Sequence, residues 1–388
     1  MQGPPTVFSQ IIQEVHNFEV QRIADRYPTR RKTPRLSPYD HLASMVFGQL
    51  TRRESLRDLS VALCARKENL YHLGIRGNPS FWNLAYANEH RDWRFARDIV
   101  ELLTRRVLRV YKNEPMEVDF KGRMFAVDAT VIKLCLSLFP WAHQLGGQGS
   151  IKLNVLLDLQ GDIPCFTSIY ADGEHEVKFI DEMPITLGDL FVMDRGYYDF
   201  ERLFKINTAG AFFVIRAKKK LRFWVSQSRK IDRSKGIRAD QIIFLSNSRK
   251  LYPSTLRRVV YFDFETQKRF VFLTNLFELP AETIALIYKQ RWKIELFFRW
   301  IKGHLLIKSL LSHSENGVRF QIYCVIATFL LVALAKQRFN LPYTAYQLLS
   351  IFSLYACEKI AISQLLVENK PTNPTTPSHN QLALNGFC

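Results

Sequence analysis

Between residues 124 and 193 the chain passes through four short apolar, β-rich runs, 124–132, 152–158, 164–170 and 190–193, with one polar helical stretch, 174–183, before the last. Strand, strand, strand, helix, strand predicts an α/β core. Two of these runs carry an acid where none is expected: Asp128 lies inside Val127-Asp128-Ala129-Thr130, and Asp194 closes Val192-Met193-Asp194. An ionised carboxylate among a strand's apolar residues is expensive to bury unless it is paired or binds a cation. Each aspartate alone also reads as an ordinary strand-end or turn residue.

The rest of the chain surrounds this core. From about 8 to 112 the apolar spacing is helical, with segments from 8, at 40–50, 55–64 and 93–111. Between the first two, Arg22, Arg26, Arg30, Arg31, Lys32 and Arg35, interrupted by Pro28 and Pro34, predict an extended basic strap. It reads equally as a phosphate-contacting arm or as a solvated linker. After 204 a second β-rich block follows, with runs at 211–215, 221–225, 241–245, 257–264 and 269–273, and helices resume from 281. The block reads as an insertion.

Charge singles out the same block. The chain carries 54 Lys and Arg against 36 Asp and Glu, a net +18 that favours a polyanionic partner. Residues 216–250, which include Arg216, Lys218, Lys219 and Lys220, hold twelve cations against Asp232 and Asp240, a net +10. Phe212, Phe213, Phe223 and Trp224 interleave with them, suiting a groove that tracks a phosphate backbone while rings meet bases. The alternative is one aromatic sheet face with the cations solvated on the other.

At 388 residues and 47% hydrophobic, the chain has material for two or three domains and is not intrinsically disordered. Six scattered cysteines show no zinc spacing, read as small buried hydrophobes, and suggest a reducing compartment. No signal peptide is expected at the N-terminus. The apolar segment 320–335 contains Gln321, Tyr323 and Thr328 and falls short of the ~20 residues a span needs, so it predicts a buried core helix and not a membrane segment. His143, Gly146, Gly147 and Gly149 lack a following Gly-Lys-Ser/Thr, so a mobile turn is expected and no nucleotide cofactor. His175, between Glu174 and Glu176, reads as a surface histidine, and His304 and His313 lack a partner pattern. The Pro-rich end, 371–388, reads as a flexible tail.

One later segment brings the acids together. At about 100° per residue, Tyr288, Arg291, Glu295 and Lys302 fall within one stripe of about 60° along a single predicted helix, at the edge of the apolar face formed by Ile287, Ile294, Phe298 and Ile301. The alternative is an amphipathic helix whose Arg291 and Glu295 form an ordinary i,i+4 pair. With Asp128 in the first strand and Asp194 at the end of the fourth, Glu295 would complete an all-oxygen site suited to magnesium or manganese and poor for zinc.

The spacing Tyr288-x2-Arg291-x3-Glu295-x6-Lys302, preceded by Val127-Asp128-Ala129-Thr130 and Val192-Met193-Asp194-Arg195-Gly196-Tyr197, resembles the DDE transposases of bacterial insertion sequences, specifically insertion sequence family four. The resemblance covers roughly 120–340. It implies a ribonuclease-H-like catalytic core with an inserted β-rich domain and an α-helical N-terminal domain, with Asp128, Asp194 and Glu295 as the catalytic, metal-binding triad for two Mg2+ or Mn2+. It further implies that Tyr288, Arg291 and Lys302 contact phosphates of the element's ends. Trp292 is a candidate for holding a displaced base, against a reading as a packed core tryptophan.

The corresponding division is 1–115 for end binding, 116–204 and 281–340 for the two parts of the core, 205–280 for the insertion, 341–370 for C-terminal helices and 371–388 for the tail. The expected activity is metal-dependent strand cleavage and 3′-hydroxyl strand transfer in double-stranded DNA, by a dimer, in the bacterial cytoplasm at the nucleoid. Two other readings stay open: a nuclease of the same fold that cuts without joining, and a DNA-binding protein without catalysis.

Overall fold

The computed structural model describes residues 4–28, 36–65, 67–135, 137–142, 149–171, 175–304 and 310–365. Arg30, Arg31, Lys32 and Arg35 of the basic strap, the Gly146-Gly147 turn and the 371–388 tail lie outside them.

Six helices come first: α1 (Val7–Ile12), α2 (Asn17–Ala24), α3 (Pro38–Leu50), α4 (Leu56–Cys64), α5 (Phe81–His90) and α6 (Arg94–Val110). Their starts are set locally. Ser37, Ser55 and Ser80 sit before α3, α4 and α5, and each side chain accepts the backbone N–H three residues on. Phe95, Ile99, Leu103 and Val107 form a buried i,i+4 row on α6. Arg22 belongs to α2, so the strap begins on a helix instead of being extended throughout.

The sheet follows: β1 (Met124–Leu134), β2 (Gly149–Asp158), β3 (Ile163–Ala171), β4 (Leu190–Met193), β5 (Phe212–Arg216), β6 (Phe223–Ser228), β7 (Ile237–Leu245), β8 (Leu256–Asp263) and β9 (Lys268–Thr274). Between β3 and β5 stand the single-turn α7 (Phe179–Glu182) and α8 (Phe200–Thr208). The chain ends in α9 (Ala281–Gln290), α10 (Trp292–His304), α11 (Glu315–Arg338), α12 (Ala345–Tyr355) and α13 (Ile362–Leu365). The fold is mixed α/β.

All nine strands of the described residues join one sheet in the order β3-β2-β1-β4-β5-β9-β8-β7-β6. β1, β2 and β3 are antiparallel, β4 and β5 run parallel to β1, and β9 returns antiparallel along β5. The later strands therefore extend the first five without a break in the ladder. The run at 211–215, grouped with the later block by its sequence, is β5, paired parallel to β4. The helical stretch expected at 174–183 shrinks to a 3-10 turn at Glu176–Lys178 and the four residues of α7, because Pro184 follows closely. α8, between β4 and β5, was not anticipated.

Residues alternate between two cores. Met124, Ala126, Val155, Val192 and Val214 face a layer built from α1 to α6 and α9 to α13, while Phe125, Val127, Leu156, Phe191, Met193 and Phe213 face α7 and α8. The 320–335 segment lies within α11, a 24-residue helix with 94% of its apolar window buried. It is long and apolar enough to cross a membrane by length and composition, yet here it is the axis on which α3 and α6 pack. Beside it α1 is tied to the segment after α12: the Val7 and Phe8 N–H groups donate to the Glu358 and Ala356 carbonyls. No disulfide joins the five described cysteines. Cys324 is buried but Cys64 and Cys135 are exposed, so shared burial does not explain them.

Candidate active site

Strand register aligns the two aspartates. Val127 pairs with Met193 across β1 and β4, and Met193 pairs with Ile215 across β4 and β5. One residue further along stand Asp128, in the middle of β1, Asp194, just past the end of β4, and Arg216, the last residue of β5, in a row across three parallel strands. The period of two decides their direction. Asp128 follows Met124 and Ala126 on the face covered by the helical layer, against α10. Asp194 ends β4 in extended backbone, and its Oδ1 accepts the Gly196 N–H at 2.7 Å.

The helix pair α9 and α10 brings the third acid. The single helix expected over 288–302 tightens at Arg291, whose N–H donates to the Tyr288 carbonyl, and resumes at Trp292. At this break the Arg291 guanidinium turns inward. Its Nη1 donates to Asp128 Oδ2 at 2.9 Å, and its Nη2 donates to Glu295 Oε1. The i,i+4 pair is thus present but inseparable from Asp128. Burial pushes the Asp128 carboxyl up from 3.8 to about 6; Arg291 and the Ala129 N–H oppose the shift, while Asp194 and Glu295 add to it. Burial disfavours the Arg291 charge, but Tyr288, Asp128 and Glu295 outweigh it and raise its pKa.

The other residues singled out in the sequence divide into two groups. Tyr288 is buried, its ring 4.6 Å from that of Phe272 and beneath the Arg291 guanidinium. Lys302 lies two turns beyond Glu295 on α10, half-buried. Trp292 is 47% exposed at the start of α10, with Arg299 over its ring, and is not a packed core residue. Arg216 lies over Phe270, and burial together with the adjacent Arg195 lowers its pKa. Lys218, Lys219 and Lys220 follow β5 on the surface. Some cations of the basic block do structural duty: Arg229 donates to the Phe277 carbonyl and Lys235 pairs with Glu282 at 2.7 Å. Phe213 is buried, whereas Trp224 stands 61% exposed on β6, the outermost strand.

Residues 119–331 match the family described as Transposase DDE domain. The chain belongs to this family. Residues 4–76 match a second, described as Domain of unknown function (DUF4372). A protein named as transposase y4zB in Sinorhizobium fredii (strain NBRC 101917 / NGR234) is 31% identical over 66% of this chain and 71% of its own. One named as a transposase for insertion sequence element IS5377 in Geobacillus stearothermophilus is 32% identical over 59% of this chain and 58% of its own. A third, named as a transposase for insertion sequence element IS4SA in Synechocystis sp. (strain ATCC 27184 / PCC 6803 / Kazusa), is 25% identical over 76% and 84%. This DDE transposase is accordingly an enzyme that acts on DNA, with the ribonuclease-H-like core its domain implies.

DDE transposase domains generally depend on divalent metal. The donor set in this transposase is chemically suited to one: three carboxylates, one in a desolvated position, with no thiol or imidazole among them. Among the described residues no three acidic, histidine or cysteine side chains are drawn together at metal-holding spacing. The Arg291 guanidinium lies between Asp128 and Glu295 and pairs with both.

Four residues on the strands and turns next to Asp128 and Asp194 were missed from sequence: Lys152, Asn154, Glu176 and Tyr197. Lys152 and Asn154 interrupt the apolar β2, and a cation and an amide in a buried strand were the available signal. Glu176 was passed over as a neighbour of His175, which is exposed. Tyr197 stood in the quoted motif but is wholly buried, and among the described residues its hydroxyl has no hydrogen-bond partner.

Proposed function

We propose that the enzyme cuts DNA strands at the ends of an insertion sequence and joins the exposed 3′-hydroxyls to target DNA, as a member of insertion sequence family four. The observation that carries the reading is the row of Asp128, Asp194 and Arg216 across three parallel strands, joined to Glu295 through Arg291. Asp128, Asp194 and Glu295 would hold two Mg2+ or Mn2+ ions. When bound, such ions stabilise the entering and leaving oxygens of an in-line displacement at phosphorus.

The chain's own residues do the rest. Arg291 neutralises Asp128 and Glu295, and its guanidinium has the fork that would suit a DNA phosphate. Arg216, Lys218, Lys219, Lys220 and Lys302 continue the positive rim along the backbone, and Tyr288 orients Arg291 from beneath. Trp292 and Trp224, both exposed, offer faces for unpaired bases. We assign end recognition to the helices of 1–115, backbone tracking to the block 205–280, and a dimer bridging two ends as the working form, acting on nucleoid DNA in the bacterial cytoplasm.

The test is strand cleavage and joining with the full chain, linear DNA carrying the element's ends, a plasmid target and Mg2+ or Mn2+. Cleaved and joined products are expected from the unaltered protein and none from Asp128→Ala, Asp194→Ala or Glu295→Gln. Joining that survives Asp128→Ala refutes the assignment, and cleavage without joining selects the nuclease reading instead.

A further inference from the structure

A fourth carboxylate reaches the same end of the sheet. Glu176 opens the turn Glu176–Lys178, which packs on the turn Arg195–Tyr197 directly after Asp194. Its two oxygens face different ways. Oε1 meets Lys152 Nζ at 3.3 Å, while Oε2 faces Gly196. A Cβ on Gly196 would stand 2.7 Å from Glu176 Oε2 and 3.0 Å from Asp194 Oδ1, so the absent side chain is what lets two carboxylates converge over one backbone position.

A second observation points to a ligand there. Tyr197 closes the turn that packs on Glu176–Lys178, is wholly buried, and its hydroxyl has no hydrogen-bond partner among the described residues. Asn154, also wholly buried, has no hydrogen-bond partner among the described residues for either amide atom and lies on the same face of β2 as Lys152. Buried polar groups of this kind are normally satisfied, so two unpartnered ones, on the turn after Asp194 and on the strand that carries Lys152, are unusual within the apolar layer around them. The plainer reading is that Glu176 only neutralises Lys152. That role needs one oxygen at Lys152 and gives no reason to hold the other beside a like charge, an arrangement that is repulsive until a cation joins it.

We propose that Glu176 is a fourth acidic residue of the metal site, directed at the same divalent cation as Asp194, with Lys152 fixing its orientation. This inference rests on the proposed metal role of Asp128, Asp194 and Glu295.

Mn2+ titration of the purified full chain by calorimetry at pH 7.5, without DNA and alongside thermal unfolding, tests it. Glu176→Gln is expected to weaken Mn2+ binding about 10- to 100-fold. The double variant Glu176→Gln/Lys152→Met should stay as weak, because removing the lysine does not replace the lost carboxylate. Should Glu176→Gln fail to fold, Glu176→Asp keeps the charge, retracts it by one methylene and should weaken binding by itself. Unaltered Mn2+ binding in whichever single variant folds overturns the proposal, as does recovery of full binding in the double variant, which would reduce Glu176 to a counter-charge for Lys152. Asp194→Asn separates the levels: it should abolish binding at that site. Loss in Asp194→Asn with none at Glu176 sinks this inference alone, whereas full binding in Asp194→Asn sinks the metal reading beneath it as well.

Discussion

Asp128→Asn should make the metal-free protein more stable at neutral pH while abolishing its chemistry. The carboxyl is raised from 3.8 to about 6 in the fold, chiefly by burial, with the help of Arg291 and the Ala129 N–H already included in that balance. Two pKa units correspond to about 3 kcal/mol by which the fold disfavours the ionised form. The side chain is only 17% exposed, so solvent screening removes little of this. Asparagine keeps the shape and an acceptor for Arg291 but carries no charge to desolvate. The sign follows from the raised folded value: the acid contributes most to stability below its unfolded pKa near 4, and that contribution is lost as pH climbs through 6. The advantage of asparagine should therefore be near zero at pH 4 and reach about 3 kcal/mol above pH 7. With an unfolding entropy of about 2.1 cal/mol/K per residue, that is a rise in melting temperature of roughly 4 °C for a chain of this length. Differential scanning calorimetry of both proteins at pH 4, 5.5 and 7.5 measures it. A destabilised Asp128→Asn at pH 7.5, or a difference that does not change with pH, refutes the claim that Asp128 is a strained, desolvated charge.

The remaining predictions concern the metal, the scaffold and DNA. In the proposed metal role Asp128 would have to lose its proton, so Mn2+ affinity should be flat above pH 6 and fall about tenfold per unit below it; calorimetry across pH 5–8 checks this, and an affinity unchanged at pH 5 contradicts it. Arg257 is buried, ion-paired with Asp240 at 2.8 Å, and its Nη1 also donates to the carbonyls of Leu276, Phe277 and Leu279 in the turn leading to α9. Arg257→Ala should cost about 3–5 kcal/mol by stranding Asp240, measured by urea unfolding, and Arg257→Met/Asp240→Leu should recover most of it. Lys218→Ala and Lys219→Ala should each lower the slope of log affinity against log salt by about 0.9 in duplex binding, with no change in melting temperature. Trp224→Ala should weaken single-stranded DNA binding by about 1–3 kcal/mol; equal affinity would show that its exposed ring stacks on nothing.

What could be read from the chain alone was whatever depends on near neighbours in sequence. Short apolar, β-rich runs located every described strand, helical spacing over 93–111 placed α6, and Asp128 and Asp194 stood out because a charge in an apolar run needs a reason. The chain-wide excess of cations named a polyanionic partner before any contact was known. The long apolar helix was legible as core, though its full 24 residues exceeded the reading by half a turn or more at each end.

Tertiary structure decided whatever depends on residues remote in sequence meeting in space. Parallel register brought Asp194 level with Asp128, and nothing local sets that alignment. The break at Arg291 belongs to the same class: helix spacing predicts a continuous stripe, but an aspartate 163 positions away draws the guanidinium in and makes the cation part of the acid cluster. Glu176 escaped notice because its meaning lies in Lys152 and Gly196, one on another strand and one beyond it. A sequence fixes periodicity and inventory through local sterics and burial; which charges share a desolvated space is a sum over distant partners, and only the folded sheet performs it.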